Sequence, residues 1–293
     1  VPFLTDWGVR NMLKSLSLAA ALCLTATTAA LSQTYERIAV AGGDITEIIY
    51  ALGAGERIVA VDSTSGYPDG TQTKAQIGYV RALSAEGVLS LSPDLLIGAD
   101  DAGPAHVIDT LKSAGLTVAL APPGQGAQQV SAKIRFVGET LGLGDQADAL
   151  IARYTEDMAF IKTRVDALES RPKVLFILSV RDGAPVVGGQ ETSANDIIEL
   201  AGGTNAAGAF SGWKPMNSEA LIAANPDFIL MSGVHADNIG GDDKIMGRPD
   251  VQQTAAGQAG NLIKMDGLKL LGFGPRTAEA VAELMNHLHG HGD

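Results

Sequence analysis

The chain has 293 residues, 46% hydrophobic, 18% charged and 5% aromatic, with a formal net charge of −12 and one Cys. That apolar fraction supplies real cores and excludes wholesale disorder, and at about 150 residues per domain the length suggests two domains. The acidic balance argues against nucleic-acid binding as the main role, and a single Cys excludes a disulfide framework or a Cys-rich metal site.

The chain begins with an address. Lys14 precedes an apolar run from Leu16 to Leu31, and Ala30-Leu31-Ser32 places small residues before Gln33. A positive start, an apolar stretch and a small-residue exit predict a secretory signal peptide within residues 1–32, with translation starting at Met12. The run is short for a spanning helix, and Cys23 lies inside it.

Next comes Ile38-Ala39-Val40-Ala41, a short buried-strand signal, then Gly42-Gly43 and Ile45, Ile48, Ile49 and Leu52 at helical spacing. Ile58-Val59-Ala60-Val61 predicts the following strand. The same order recurs later: Val174-Leu175-Phe176-Ile177-Leu178, Gly188-Gly189, then Ile197, Ile198 and Leu200. A second pair is sharper. Ser84-Ala85-Glu86-Gly87-Val88-Leu89 leads through Pro93-Asp94 to Leu95-Leu96-Ile97, and Asn217-Ser218-Glu219-Ala220-Leu221-Ile222 leads through Pro226-Asp227 to Phe228-Ile229-Leu230. Each is a short helix, a Pro-Asp turn and a buried strand. Pro ends the helix because the residue before it avoids the α region.

Strand–helix–strand alternation predicts an α/β fold with parallel-type sheets, and the repetition predicts two similar lobes. Between them, from Asp145 to Glu169, a helical stripe without Gly or Pro predicts one long spine helix. The expected domains are an N-terminal lobe at 33–143, the spine at 144–170 and a C-terminal lobe at 171–293 with a His-containing tail (His287, His289, His291). Two lobes on one stiff helix leave a cleft, the default ligand site.

Three segments carry a closer resemblance: Gly42-Gly43-Asp44-Ile45-Thr46-Glu47-Ile48-Ile49-Tyr50, Ile77-Gly78-Tyr79-Val80-Arg81-Ala82-Leu83-Ser84-Ala85-Glu86-Gly87, and Leu271-Gly272-Phe273-Gly274-Pro275-Arg276-Thr277. With the lobe pattern, over residues 36 to 289, the chain resembles the helix-spined class of periplasmic substrate-binding proteins of ABC importers, and within it the heme-binding members. The resemblance implies capture of heme in the periplasm, without turnover, and delivery to an inner-membrane ABC permease with its ATPase. An outer-membrane heme receptor would feed the pathway indirectly, no nucleic acid is involved, and the protein is expected to be a monomer.

On this resemblance Tyr79 is the ligand of the ferric heme iron. A phenolate is a hard anionic ligand suited to that iron. Arg81, two residues on, lies on the same side if the segment is extended, and a cation beside a phenol favours its ionised form. In the second lobe many relatives place a His after the first strand; here Val180 stands there and cannot ligate, so five-coordinate iron on Tyr79 is the expectation. Arg181 next to it is a candidate partner for a heme propionate, or for Asp182 or another surface acid. Trp213 and Phe273, in Gly-rich loops, are candidate walls for a flat apolar ligand. His235, after a buried strand, is a candidate second iron ligand.

The resemblance also implies an acidic residue on each lobe that pairs with the permease, placed at Glu47 and Glu219. Asp44-x-x-Glu47 equally fits a helix-capping pattern. A siderophore or cobalamin binder of the same class is the alternative ligand reading. An enzyme is not expected: no Gly-x-Ser-x-Gly elbow, Walker loop or His-Glu-x-x-His is present.

Overall fold

The computed structural model describes residues 34–124 and 126–290. The expected signal peptide, Cys23 and His291 lie outside them. The first half contains β1 (Ile38–Ala41), α1 (Gly43–Ala51), β2 (Ile58–Val61), β3 (Ala75–Gln76), β4 (Gly78–Tyr79), β5 (Ala82–Leu83), α2 (Ala85–Ser90), β6 (Leu95–Gly98), α3 (Ala105–Ser113), β7 (Thr117–Leu120) and α4 (Gln128–Leu141). Five strands form an all-parallel sheet in the order β3-β2-β1-β6-β7. Parallel strands covered by helices on both faces are buried throughout, which is why β1 and β6 are unbroken apolar runs.

The turn from β1 into α1 depends on two glycines. Gly42 has φ 129°, a conformation L side chains rarely adopt. A Cβ on Gly43 would lie 2.5 Å from the Thr64 carbonyl oxygen and 2.7 Å from Leu268 of the second half. Backbone here must approach backbone, and only Gly leaves the room.

Helix α5 (Gly144–Asp166) follows without a break and spans about 35 Å at 1.5 Å per residue. Tyr154, Ile161 and Val165 are its buried stripe, and it packs on α4 and on the last helix of the chain.

The second half contains β8 (Lys173–Arg181), β9 (Ala184–Gly188), α6 (Ser193–Leu200), β10 (Thr204–Asn205), β11 (Trp213–Pro215), α7 (Ser218–Ala224), β12 (Phe228–Ser232), α8 (Gly233–Asn238), α9 (Asp242–Met246), α10 (Ala255–Ala259), β13 (Leu262–Met265), α11 (Gly267–Leu271) and α12 (Thr277–His289). The parallel strands β8, β12 and β13 repeat the arrangement of β1, β6 and β7. The matching short helices are capped alike: Ser84 Oγ accepts from Gly87 N at 3.0 Å, and Asn217 Oδ1 accepts from Ala220 N at 2.8 Å.

The halves differ on the other side of the central strand. Where β1 leads into a helix, β8 turns back through Asp182-Gly183 into β9, and β9 pairs antiparallel with both β8 and β11. Both turn residues have positive φ, 50° and 79°. An Asp-Gly pair of that conformation is the tight hairpin turn that matches strand twist. The second sheet is therefore mixed rather than wholly parallel.

One continuous apolar cluster joins the two sheets. It includes Ile38, Ile48 and Val137 from the first half, Ile161 and Val165 from α5, and Phe176, Ile197 and Leu284 from the second. The expected His tail is corrected in part: His287 and His289 belong to α12, and Nε2 of His289 is buried with no hydrogen-bond partner among the described residues. Among the described residues no group of three or more His, Cys, Asp or Glu is placed to hold a metal ion.

Candidate functional site

Tyr79 stands on a two-stranded hairpin at the carboxyl end of the first sheet. Strands β4 and β5 pair Gly78 with Leu83 and Tyr79 with Ala82, leaving Val80-Arg81 as the turn. Gly78 has φ 103°, and a Cβ there would sit 2.7 Å from the Ala82 carbonyl oxygen. The Tyr79 side chain is 42% exposed, unusual for a large ring. Nη1 of Arg81 donates to its Oη at 2.8 Å, and the guanidinium carbon lies 5.9 Å from the ring centroid. The pairing expected from the sequence is present but has another cause. Arg81 reaches back across a turn and does not share a face with Tyr79 on an extended strand.

Arg81 is also gripped from behind. Nε donates to Asp101 Oδ2 at 2.7 Å, and Nη2 forms an ion pair with the same oxygen. Partial burial works against the Arg81 charge, but the hydrogen bond and charge of Asp101, with Tyr79 beside it, outweigh that and hold the guanidinium above its ordinary value.

A buried carboxylate anchors the hairpin. Asp62 is 1% exposed and follows β2. Its Oδ2 accepts from Val80 N at 3.1 Å and Thr64 N at 3.0 Å, and its Oδ1 accepts from Gly42 N at 2.9 Å and from the Ser65 hydroxyl at 3.0 Å. The β1–α1 turn, the 62–65 loop and the tyrosine hairpin therefore share one acceptor. A buried carboxylate is tolerated when its lone pairs are filled in this way. Sequence reasoning missed Asp62 and Asp101; for Asp62 the hint was an acid directly after a buried strand, and Asp101 lies three residues beyond one.

In the second half, Arg181 ends β8 beside the Asp182-Gly183 turn and is exposed, and its side chain makes no hydrogen bond or ion pair among the described residues. The alternative of a salt bridge to Asp182 is not what the structure holds. Val180 is paired with Pro185 in the β8–β9 ladder. Trp213 is 38% exposed on β11 and stands edge-on to Phe176, centroids 5.7 Å apart. Phe273 is 5% exposed and belongs to the main apolar cluster, so it is core and not an open wall. His235 is exposed on α8, its Nδ1 2.7 Å from the Ser232 hydroxyl that caps that helix.

Glu47 requires a correction. It is 5% exposed and ion-paired with Arg276, so it is not a free acid on the surface. Burial pushes its carboxyl above the ordinary value, and Arg276 only partly offsets this; the same pairing holds Arg276 above its own ordinary value despite burial. Both values rise, but a rise disfavours the charged carboxylate and favours the charged guanidinium; Glu47 is the deeper partner, with 4% of its side chain exposed against 15% for Arg276, and bears the larger burial cost. Nearby, Lys133 Nζ pairs with Asp44 at 2.6 Å and donates to the Gly272 carbonyl at 3.3 Å. The 266–276 segment is thereby tied to the start of α1. Glu219 is exposed in the first turn of α7. Its counterpart by structural repeat is Glu86, equally exposed in the first turn of α2.

A cavity of about 540 Å³ opens beside the Glu47–Arg276 pair, with Tyr67, Tyr154 and Arg153 in its walls. Another of about 560 Å³ lies between α5 and α6 over Met158, Ile161 and Leu200. Tyr79 lines neither.

Residues 38–267 match the family model described as periplasmic binding protein, and the chain belongs to that family. The periplasmic heme-binding protein RhuT from Roseiflexus sp. RS-1, in apo form, is 38% identical and superposes with a TM-score of 0.82 over 87% of this chain and 98% of that one. The periplasmic heme-binding protein BhuT in complex with two hemes is 38% identical, with a TM-score of 0.83 over the same shares. The ABC transporter substrate-binding lipoprotein YvrC of Bacillus subtilis is 29% identical over 83% of this chain and 77% of its own length. Membership defines a non-catalytic substrate-binding protein of the periplasm.

Proposed function

We propose that the protein captures ferric heme in the periplasm through Tyr79 and delivers it to an ABC permease. Residues 33–143 and 171–293 act as two lobes on the 144–170 spine, with heme held between them. The observation that carries the reading is the exposed phenol of Tyr79 with an Arg81 donor 2.8 Å from its oxygen. A free phenol ionises near pH 10. Ferric iron supplies most of the drive to deprotonate it, and Arg81 stabilises the resulting phenolate. The two heme-binding relatives at 38% identity support heme over a siderophore or cobalamin.

The unpartnered Arg181 suits a heme propionate, since a guanidinium fork matches a carboxylate. Its removal weakens binding several-fold and leaves the iron spectrum unchanged. Trp213 offers an apolar face to the porphyrin, and His235 remains a candidate second iron ligand. Docking to the permease falls to Glu86 and Glu219, which occupy the same place in the two halves and are both exposed.

Titrating the purified protein with hemin tests the reading. Saturation at a fixed stoichiometry, unaffected by excess cyanocobalamin or ferric siderophore, is the expected result. Saturable binding of cobalamin or siderophore without binding of hemin would overturn it.

A further inference from the structure

We infer that Asp101 is a positioning residue for the iron ligand: it fixes the Arg81 guanidinium so that one nitrogen faces the Tyr79 oxygen. This rests on the heme reading above.

An unrestrained Arg on a hairpin turn would not hold one orientation. The Arg81 side chain is 61% exposed, and a long side chain in water samples many rotamers. Here its guanidinium has two distinct edges. Nε and Nη2 are taken by a single oxygen of Asp101, which leaves Nη1 directed at Tyr79 Oη. The planar fork makes this division possible; a Lys ammonium has no second edge.

The carboxylate is itself fixed in place. The loop after β6 is stitched to the tyrosine hairpin by backbone bonds: Gly103 N donates to the Val80 carbonyl at 2.8 Å, and Leu83 N donates to the Gly103 carbonyl at 2.8 Å. Asp101 lies two residues from that junction, so its loop and the hairpin move together. The consequence is a donor set in place before the ligand arrives, which removes the ordering cost from binding. Asp101 also balances the Arg81 charge before the ligand arrives.

The test combines a ligand-free measurement with a binding cycle. In ¹⁵N spectra of the ligand-free protein, the Arg81 Nε–H signal is expected as a resolved peak in the wild type and lost in Asp101→Ala. The Tyr79 ring signals in Asp101→Ala are expected to move to their positions in Arg81→Ala. An Arg81 signal and Tyr79 ring signals indifferent to Asp101→Ala would overturn the inference. In hemin titrations Asp101→Ala should weaken binding about tenfold and shift the ferric tyrosinate absorption band, while Arg81→Ala/Asp101→Ala should match Arg81→Ala alone. The same loss in both backgrounds would contradict action through Arg81. A wild type that binds no hemin would sink the heme reading instead, and the ligand-free spectra would still decide whether Asp101 positions Arg81.

Discussion

The guanidinium of Arg276 sits between two groups of the first half: it is ion-paired with Glu47 of α1 and lies 3.7 Å from the centroid of the Tyr67 ring. Asp266 Oδ1 approaches the same cation at 3.5 Å. With Lys133 joining Asp44 to the Gly272 carbonyl close by, this pair fastens the segment before α12 to the first helix. The contact joins the two halves.

Removing Arg276 leaves a carboxylate buried and unpaired. Breaking such a pair costs about 3 kcal/mol, somewhat discounted here because Arg276 keeps some solvent contact. Arg276→Ala should therefore lower the urea midpoint clearly, and Arg276→Lys should recover only part of the loss, since an ammonium cannot stack flat on Tyr67. Equal stability of wild type and Arg276→Ala would contradict a fastening role.

The Glu47 carboxyl also predicts a pH dependence. Burial raises its folded-state pKa above the ordinary 4.5. The folded state then binds a proton that the unfolded chain releases, so this contribution is present below the unfolded value and is lost as pH rises through the folded one. Stability followed by urea unfolding between pH 4.5 and neutrality should fall less with rising pH in Glu47→Gln than in the wild type. Identical slopes would remove Glu47 as the source.

Asp62 carries the tyrosine hairpin through its contact to Val80 N. Asp62→Ala strands several buried donors, each worth about 1–3 kcal/mol when unsatisfied. The variant should be among the most destabilised single substitutions in the first half and should lose hemin affinity. Asp62→Asn, which keeps one acceptor, should fall between. A fully stable Asp62→Ala would mean that solvent replaces the carboxylate without cost.

Docking by Glu86 and Glu219 predicts a separation of binding from delivery. Glu86→Arg and Glu219→Arg should bind hemin as the wild type does, yet fail to stimulate the permease ATPase in proteoliposomes. Glu47→Gln should stimulate it normally when folded. Stimulation by the double Glu86→Arg/Glu219→Arg variant would refute these contacts.

Much of the frame is legible in the sequence, and the failures share a physical cause. Four-residue apolar runs such as Ile38–Ala41, followed by a Gly-Gly turn and helical spacing, identify themselves as buried parallel strands. The capped helix with its Pro-Asp turn is visible twice, and that repeat already pairs Glu86 with Glu219. Asp182-Gly183 is a hairpin signal by its residues alone, yet the match to the first half reads one strand, Gly188-Gly189 and a helix there, and so passes over it. Glu47 looks like an exposed helix-start acid because its partner, Arg276, is 229 residues away. Phe273 reads as a loop aromatic, and only tertiary packing reveals that it is core. Local chemistry shows which residues can act; the fold decides which of them reach the surface.

The central claim is that Tyr79 holds the iron. Hemin titrations of the wild type and Tyr79→Phe, followed by absorbance, test it most directly. Phe keeps the ring and removes only the oxygen. The account predicts a ferric tyrosinate spectrum in the wild type, absent from Tyr79→Phe together with at least a tenfold loss of affinity. The same spectrum and affinity in both proteins would contradict it and move the iron elsewhere, with His235 the first place to look.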